Sequence, residues 1–527
     1  LLAMLLLIPA AFAAANQCDE CHRGMEHQLN PVHQFAESTC IACHKGNAKT
    51  ADKESAHLGL VKSPGELANA QHTCGQCHDK HVKGVLTSRM HSGHGIVSKT
   101  RKLLETAASD KHAATFQTLG NGIADSLLRK LCASCHLGQA RSTENVDVVK
   151  ARGGGCLACH LDQTGLAKHA RLTVQVNDGQ CFGCHSRSGR ISLNYAGLAE
   201  VEALNPAHNH NNLARLSDGR LVEKKTADIH HQAGMACIDC HTGNGLMNLA
   251  MDDRESSVDI QCVDCHANTT PRLTKLTWPV AYQAMLARIP FRATDKKPFL
   301  QTTRGTPLWH IDAGGNQQVW LYPKLGGKPL RIPQLGSNHE PLTRTHEKLS
   351  CQSCHATWVP QCLGCHVDYD PEQQQWDHYS QSVTRGRWQE KRWDISTSAP
   401  TLGWNGLGEI GVFSPGMIMT IDHPDYPETM FIRNFAEVKP HTTGAVRKCQ
   451  DCHQSTQMLG LGEGKLQIEE GKMVFSPTRK ILQDGLPADA WTGLPEKSGQ
   501  SWQQFPRPFS ASEINNIYHV PLEKKPE

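Results

Sequence analysis

Residues 350–370 read SCQSCHATWVPQCLGCHVDYD, and this stretch contains the pentapeptide Cys-x-x-Cys-His twice, at Cys351 to His355 and at Cys362 to His366. Outward from it, nine further copies begin at Cys18, Cys40, Cys74, Cys132, Cys156, Cys181, Cys237, Cys262 and Cys449. The second cysteines are Cys21, Cys43, Cys77, Cys135, Cys159, Cys184, Cys240, Cys265, Cys354, Cys365 and Cys452, so the eleven copies use all 22 cysteines. The histidines that close them are His22, His44, His78, His136, His160, His185, His241, His266, His355, His366 and His453. With 31 His in 527 residues, eleven such coincidences have a chance probability on the order of 10⁻¹³.

Zinc ribbons use paired Cys-x-x-Cys units but have no reason to place His after each one. Disulfide frameworks belong mostly to small secreted domains, and a chain of this length has little need of one. Isolated redox dithiols would not recur eleven times with a fixed His. What remains is covalent attachment of c-type haem, whose signature is this pentapeptide. The spacing has a physical logic, because residues i, i+3 and i+4 share one face of a helical turn. Two thiols can then bond one macrocycle while the imidazole reaches its iron.

Hydrophobic residues make up 39% of the chain, and that figure already includes the cysteines. The aliphatic and aromatic core is therefore thin, and the cofactors must supply much of the buried apolar surface. The expected fold is mainly α and irregular, with short helices and loops wrapped around a chain of eleven haems and minor β content in 267–448. The best continuous helix candidate is 99–131, with Leu103, Leu104, Ala107, Leu127, Leu128 and Leu131 around a glycine-containing break at 120–122.

Residues 1–15, LLAMLLLIPAAFAAA, read as the apolar region of an export signal with small-residue cleavage sites near Ala13, lacking the usual basic start. They are short of the roughly 20 residues that span a bilayer, and no later stretch does so. Eight motifs lie in 16–266 and three in 267–453, whereas all ten Trp follow residue 266. The reading is a haem-dense region, 16–266, a haem-poor Trp-rich region, 267–453, and a haem-free C-terminal tail, 454–527, draped over the surface. In the second region Trp309-His310-Ile311, Val319-Trp320-Leu321-Tyr322 and Gly411-Val412-Phe413 read as short strands. Motifs nine and ten start eleven residues apart, which spans about 16 Å as helix and at most about 40 Å extended, so their sites must be neighbours.

The formal charge of +3 omits the cofactors. A ferric haem between two imidazoles adds about −1 with its propionates ionised, which takes the total to about −8 and gives no support to nucleic-acid binding.

Twenty histidines lie outside the motifs, enough for every iron to gain a second imidazole. The distal candidates are His33, His57, His91, His94, His112, His169, His208, His230, His231, His346, His378, His423 and His441. Several sit shortly before a motif: His33 before Cys40, His230 and His231 before Cys237, His346 before Cys351, His441 before Cys449. Met ligation, which raises the potential, is the alternative at a few sites.

The motif set resembles the multihaem cytochrome c superfamily over 18–453. The stretches 350–370 and 448–464 (KCQDCHQSTQMLGLGEG) are similar to large respiratory multihaem cytochromes of metal- and sulfur-respiring bacteria. The resemblance implies electron transfer in anaerobic respiration, in the periplasm or at the outer membrane and cell surface. Its implied partners are donor and acceptor cytochromes or an outer-membrane conduit, and a mineral or soluble metal acceptor in extracellular electron transfer. No family active site carries over. Two functions stay open: an electron conduit with six-coordinate haems throughout, which the uniform motifs favour, or a reductase of a small nitrogen or sulfur oxyanion with one open haem. For the second, the haems on His355, His366 and His453 and the side chains of His310, His423, Tyr369 and Tyr426 are where a pocket is expected.

Overall fold

The computed structural model describes residues 16–23, 25, 33, 39–104, 114–140, 154–162, 169, 171–186, 191–202, 210–249, 258–267, 300–313, 318–336, 339, 346–470, 472–494 and 506–521. The export-signal reading of 1–15 and the candidates His112 and His208 lie outside these residues. The expectation of a mainly α chain is corrected: helix and strand are nearly balanced, at 30% and 27%, and the largest element is a curled mixed sheet shaped like a half-barrel.

That sheet consists of β1 (Val359–Asp377), β2 (Ser382–Ser398), β3 (Thr401–Trp404), β4 (Ile410–Asp422) and β5 (Met430–Glu437). β1 and β2 form a long antiparallel hairpin, β4 pairs antiparallel with β3 and β5, and Met419–Asp422 of β4 runs parallel to Cys365–Asp368 of β1. The physical reason lies in the alternation along these strands. Val367 and Ile421 are buried while their neighbours His366 and Thr420 are not, and β-branched and aromatic residues are frequent. Register shifts in the hairpin at Arg385/Arg387 and around Asp394, and in β4 at Pro415/Met417, mark the bulges that bend the sheet. At the first of these Gly386 has φ +87°, and a Cβ there would meet the Tyr369 hydroxyl at 2.0 Å.

The predicted 99–131 helix is two pieces, α1 (His94–Leu104) and α2 (Ile123–Leu127), the latter continuing as a π turn through Cys132. Both pack on the sheet. Leu104, Ala124 and Leu127 share a buried cluster with Val367, Trp388, Met419, Ile421 and Ile432. The Trp388 indole donates to Ser126 Oγ at 3.0 Å and the Tyr426 hydroxyl to the Leu104 carbonyl at 2.9 Å. The buried Lys130 ammonium donates to the carbonyls of Gln375, Thr384, Arg385 and Gly386. Contacts of this kind tie the motif-dense stretch of sequence to the Trp-rich one.

The stretch after residue 454 does not drape over the surface. Met458, Leu459, Leu461, Phe509 and Ile514 complete the largest core cluster with Ala356, Val359, Leu402 and Val412. Its helix α3 (Ala511–Tyr518) is capped by Ser510, which accepts from Glu513 N, and Glu513 pairs with Arg507. Smaller sheets are formed by 198–200, 213–215 and 221–224, and by 311–313, 319–321 and 330–332. Among the described residues no helix is long and apolar enough to cross a membrane.

Candidate functional site

Ten of the eleven Cys-x-x-Cys-His motifs lie on short helical turns, as their spacing predicts. Local sequence shows why in three of them. At Cys237, Cys262 and Cys449 the third motif residue is Asp, and Asp239, Asp264 and Asp451 accept the N–H of Ala236, Gln261 and Lys448 at 2.8, 2.7 and 3.0 Å. Each carboxylate thereby caps its own turn, where an acidic group also suits the helix dipole. The tenth motif, Cys362 to His366, lies inside β1 instead. Its chain is extended from Val359 onward, so the connection from the ninth motif is not helical.

The motif histidines do not stand alone. Among the described residues, seven of them face a histidine from elsewhere in the chain. The pairs are His22–His57 at 6.2 Å between ring centroids, His44–His169 at 5.9 Å, His78–His33 at 6.4 Å and His241–His441 at 6.1 Å. The remaining three are His266–His230 at 6.1 Å, His355–His339 at 6.3 Å and His453–His346 at 6.2 Å. Two trans imidazoles on one metal, with bonds of about 2.0 Å and about 1.1 Å from nitrogen to ring centre, place the centroids about 6.2 Å apart. In every pair one ring belongs to a motif and the other does not. Chance packing of aromatic rings has no reason to produce that rule.

The second ring nitrogens complete the fit. Nδ1 of His44, His160, His266 and His453 each donates to a backbone carbonyl at 2.8 Å, those of Val61, Thr173, Pro333 and Ile517. His355 donates to Gly444 O at 3.1 Å and His136 to Ala133 O at 3.0 Å. On the facing side, Nδ1 of His441 donates to Lys439 O and that of His230 to Asp228 Oδ1. A proton held on Nδ1 leaves the Nε2 lone pair for a metal, the arrangement typical of metal-binding histidines. Burial, with the facing ring acting the same way, pushes His91 and His241 down to about 4, so both are neutral and able to ligate.

Other candidates fall differently. His91 lies beside His136, both bordering Gly138. His81, absent from the candidates drawn from sequence, stands 5.7 Å from His78 and also senses His160. It lies three residues after its motif His, beyond a kink at His78 itself, and that short spacing is the available signal. His339 was likewise missed. His94 donates to Ala114 O at 3.1 Å, and His231 packs edge-on against Tyr195 at 5.0 Å. His378 is hydrogen-bonded with Gln139, and the buried His310 with the Asp239 carbonyl. Tyr369, His423 and Tyr426 do come together, with His423 stacked on Tyr369 at 4.6 Å and on Trp388 at 5.4 Å. They belong to the helix-packed face of the sheet. His366, next to Val367, points to the opposite face.

The motifs also touch one another. The thiols of Cys74 and Cys156, of Cys181 and Cys237, and of Cys262 and Cys351 lie close together pairwise. Cys43 lies close to Cys74 and Cys77, Cys240 to Cys265, and Cys354 to Cys452. Gln180, in the turn of the sixth motif, bridges to the carbonyl of Cys159 in the fifth. Motifs two, three, five, six, seven, eight, nine and eleven are thus consecutive neighbours. A continuous cavity of about 3420 Å³ is lined by the third to the eighth motif and the tenth, several times the roughly 300–1,000 Å³ of a single small-molecule pocket.

Among the described residues no cluster of three or more His, Cys, Asp or Glu would hold a bare metal ion. Two facing imidazoles with two thiols alongside suit a metal whose other four ligands come from a macrocycle. No protein family, no characterised protein and no solved structure matched the chain.

Proposed function

We propose that the chain is an exported eleven-haem c-type cytochrome that carries electrons from one redox partner to another. The observation that carries this reading is the set of seven ring pairs, each joining a motif histidine to one from another segment across 5.9–6.4 Å. Haem iron, once attached, supplies one-electron chemistry. The protein supplies the rest. Cysteine pairs would anchor each group, and its iron would be held by a motif histidine together with, at seven sites, the facing His57, His169, His33, His441, His230, His339 or His346. Carbonyls that hold Nδ1–H fix the tautomer and make the imidazole a stronger donor, which favours the oxidised metal. The neighbouring motifs provide a path in which every step passes to an adjacent site. Donor and acceptor cytochromes, an outer-membrane conduit, or an extracellular metal acceptor are the partners this chemistry suits, in an anaerobic respiratory chain.

The test is direct. Protein matured in a host with c-type haem machinery is measured by intact mass and pyridine haemochrome, then titrated by spectroelectrochemistry. Eleven haems, low-spin signals for the paired sites and a broad spread of mostly negative potentials are expected, since coupled neighbours titrate as a set. Fewer than ten haems, or one sharp transition at high positive potential, would defeat the proposal.

A further inference from the structure

Residues 439–447 run past four successive sites of the path. His441, in the left-handed region at φ +54°, faces His241 of the seventh motif. The Thr443 N–H donates to Asp228 Oδ2 at 2.7 Å, and Asp228 Oδ1 accepts the Nδ1–H of His230, which faces His266 of the eighth. The Gly444 carbonyl accepts from His355 of the ninth at 3.1 Å. Arg447 lies near Cys354 and Cys452, the second cysteines of the ninth and eleventh motifs. The eighth, ninth and eleventh motifs are helical turns whose histidines each face a second ring, so all three have the geometry that a metal between two imidazoles needs.

Two charges of opposite sign touch this segment. Asp228 is 2% exposed and accepts three N–H groups, two from His230 and one from Thr443. Of the Nδ1 acceptors described for the paired rings, five are backbone carbonyls and one, at His230, is this carboxylate. An anion in that place draws on the imidazole proton and makes the ring a stronger donor, which favours the ferric state. Arg447, half-buried, directs its guanidinium to the carbonyls of Ala356 and Thr357. It keeps its charge at any working pH, and a positive charge favours the state with one more electron. Other charges do not separate these sites. The capping Asp264 and Asp451 occur at the eighth and eleventh motifs alike, and Lys324 stands near Cys240 and Cys265 and so acts on the seventh and eighth together.

Resting on the cytochrome reading, we propose that Asp228 and Arg447 give this end of the path a slope: the eighth site is held low in potential, the ninth and eleventh are raised, and electrons run from the eighth through the ninth to leave at the eleventh. Both are positioning residues. Asp228 acts through the His230 ring, and Arg447 acts through its charge beside the ninth and eleventh cysteines. Adjacent sites alone would let electrons pass either way, and the two charges supply a direction. The end of the slope reaches solvent, since Cys449 of the eleventh motif is exposed.

The experiment is a potentiometric titration of the full-length holoprotein with the low-spin ferric signals followed by paramagnetic resonance. His230→Gly, His339→Gly and His346→Gly each delete one signal and so assign the eighth, ninth and eleventh sites. In the unmodified protein the eighth should be reduced after the other two. Asp228→Asn should shift the eighth site toward the ferrous state by roughly tenfold or more, at about 59 mV per tenfold for one electron, with its signal still low-spin. Arg447→Met should shift the ninth and eleventh the opposite way, and Arg447→Lys, which keeps the charge, should leave them in place. Thr442→Val removes the hydroxyl bond to the Trp358 carbonyl but no charge, so it loosens the segment alone and should move none of the three. An eighth site reduced before the ninth and eleventh in the unmodified protein, an unshifted or high-spin eighth site in Asp228→Asn, or an equal shift in Thr442→Val would each overturn the proposal and leave the cytochrome reading in place. Absence of covalent haem altogether would overturn that reading instead.

Discussion

Replacing His57 by Gly should open one haem and only one. His57 faces His22 at 6.2 Å and is exposed, so its removal leaves an imidazole-sized gap that solvent can enter. Neither thioether bond nor the His22 ligand is touched, so the haem count should stay at eleven. One site in eleven, about 9% of the ferric haem, should change from low- to high-spin, because water is a weaker ligand than imidazole. Added imidazole should restore the low-spin spectrum by filling the gap, and the six other sites with facing ring pairs should not respond. Quantitative paramagnetic resonance against a spin standard reads the fraction, and optical difference spectra follow the rescue. His94→Gly is the control, since His94 donates to Ala114 O and pairs with no motif ring in the described residues. An unaltered low-spin count in His57→Gly would refute the inference that a ring pair near 6 Å marks two axial ligands. An equal effect in His94→Gly would refute its selectivity.

Lys324, half-buried beside the seventh and eighth motifs, donates from Nζ to the Ile238 carbonyl, and its backbone N–H donates to Asp239. Lys324→Met should lower the potential of those two sites by roughly 50–100 mV, the effect of a unit charge about 10 Å away at an effective dielectric of about 20, as read by spectroelectrochemistry. Burial pushes the ammonium down to about 8, so raising the pH through that value removes the charge. The same potentials should fall in the wild type between pH 7 and 9, and the pH dependence should vanish in the variant. Glu513 works in the other direction: burial would raise it, but the Arg507 hydrogen bond and the Ser510 N–H hold it at about 2. Its folded value is below the unfolded one, so its stabilisation is present above about pH 4.5 and is lost as pH falls toward 2. Glu513→Gln should flatten that acid limb in thermal unfolding curves measured between pH 2 and 6, and the spectrum of the site at His453, whose Nδ1 acceptor Ile517 lies on α3, should report the loosened helix.

The eleven motifs and their helical turns were legible because the chemistry demands a fixed local spacing, and ten of eleven obey it. The sheet was not, for two reasons. Pattern reading gave the cysteines at 362 and 365 a helical turn, yet Val359, Val367, Tyr369 and the facing Trp388 and Ile395 select a strand, and their burial on the sheet outweighs the local preference. The segment beyond 454 lacks motifs and looked peripheral, but Leu459, Leu461, Phe509 and Ile514 fill a core whose other half comes from Val359 and Val412. No window of sequence contains both halves.

The second axial residue shows where local reading fails in principle. Position shortly before a motif marks a histidine as a candidate but not its partner: His33 faces His78 rather than His44, His230 faces His266, His346 faces His453 and His441 faces His241. A turn that carries both thiols and the proximal imidazole holds the chain on one side of its own site. Residues just upstream therefore start on that same side and can more easily reach the open side of a neighbour. His339, which faces His355 from before the same motif, shows that a longer lead can double back. The consequence concerns folding. His241 and His441 are two hundred residues apart in sequence, so a metal shared between them closes a long loop, and such closures are where a cross-link constrains the unfolded chain most. Under the proposed function, cofactor attachment and folding are then one coupled process: each filled site cross-links distant segments, and the thin aliphatic core is sufficient because the chain is tied together at its sites.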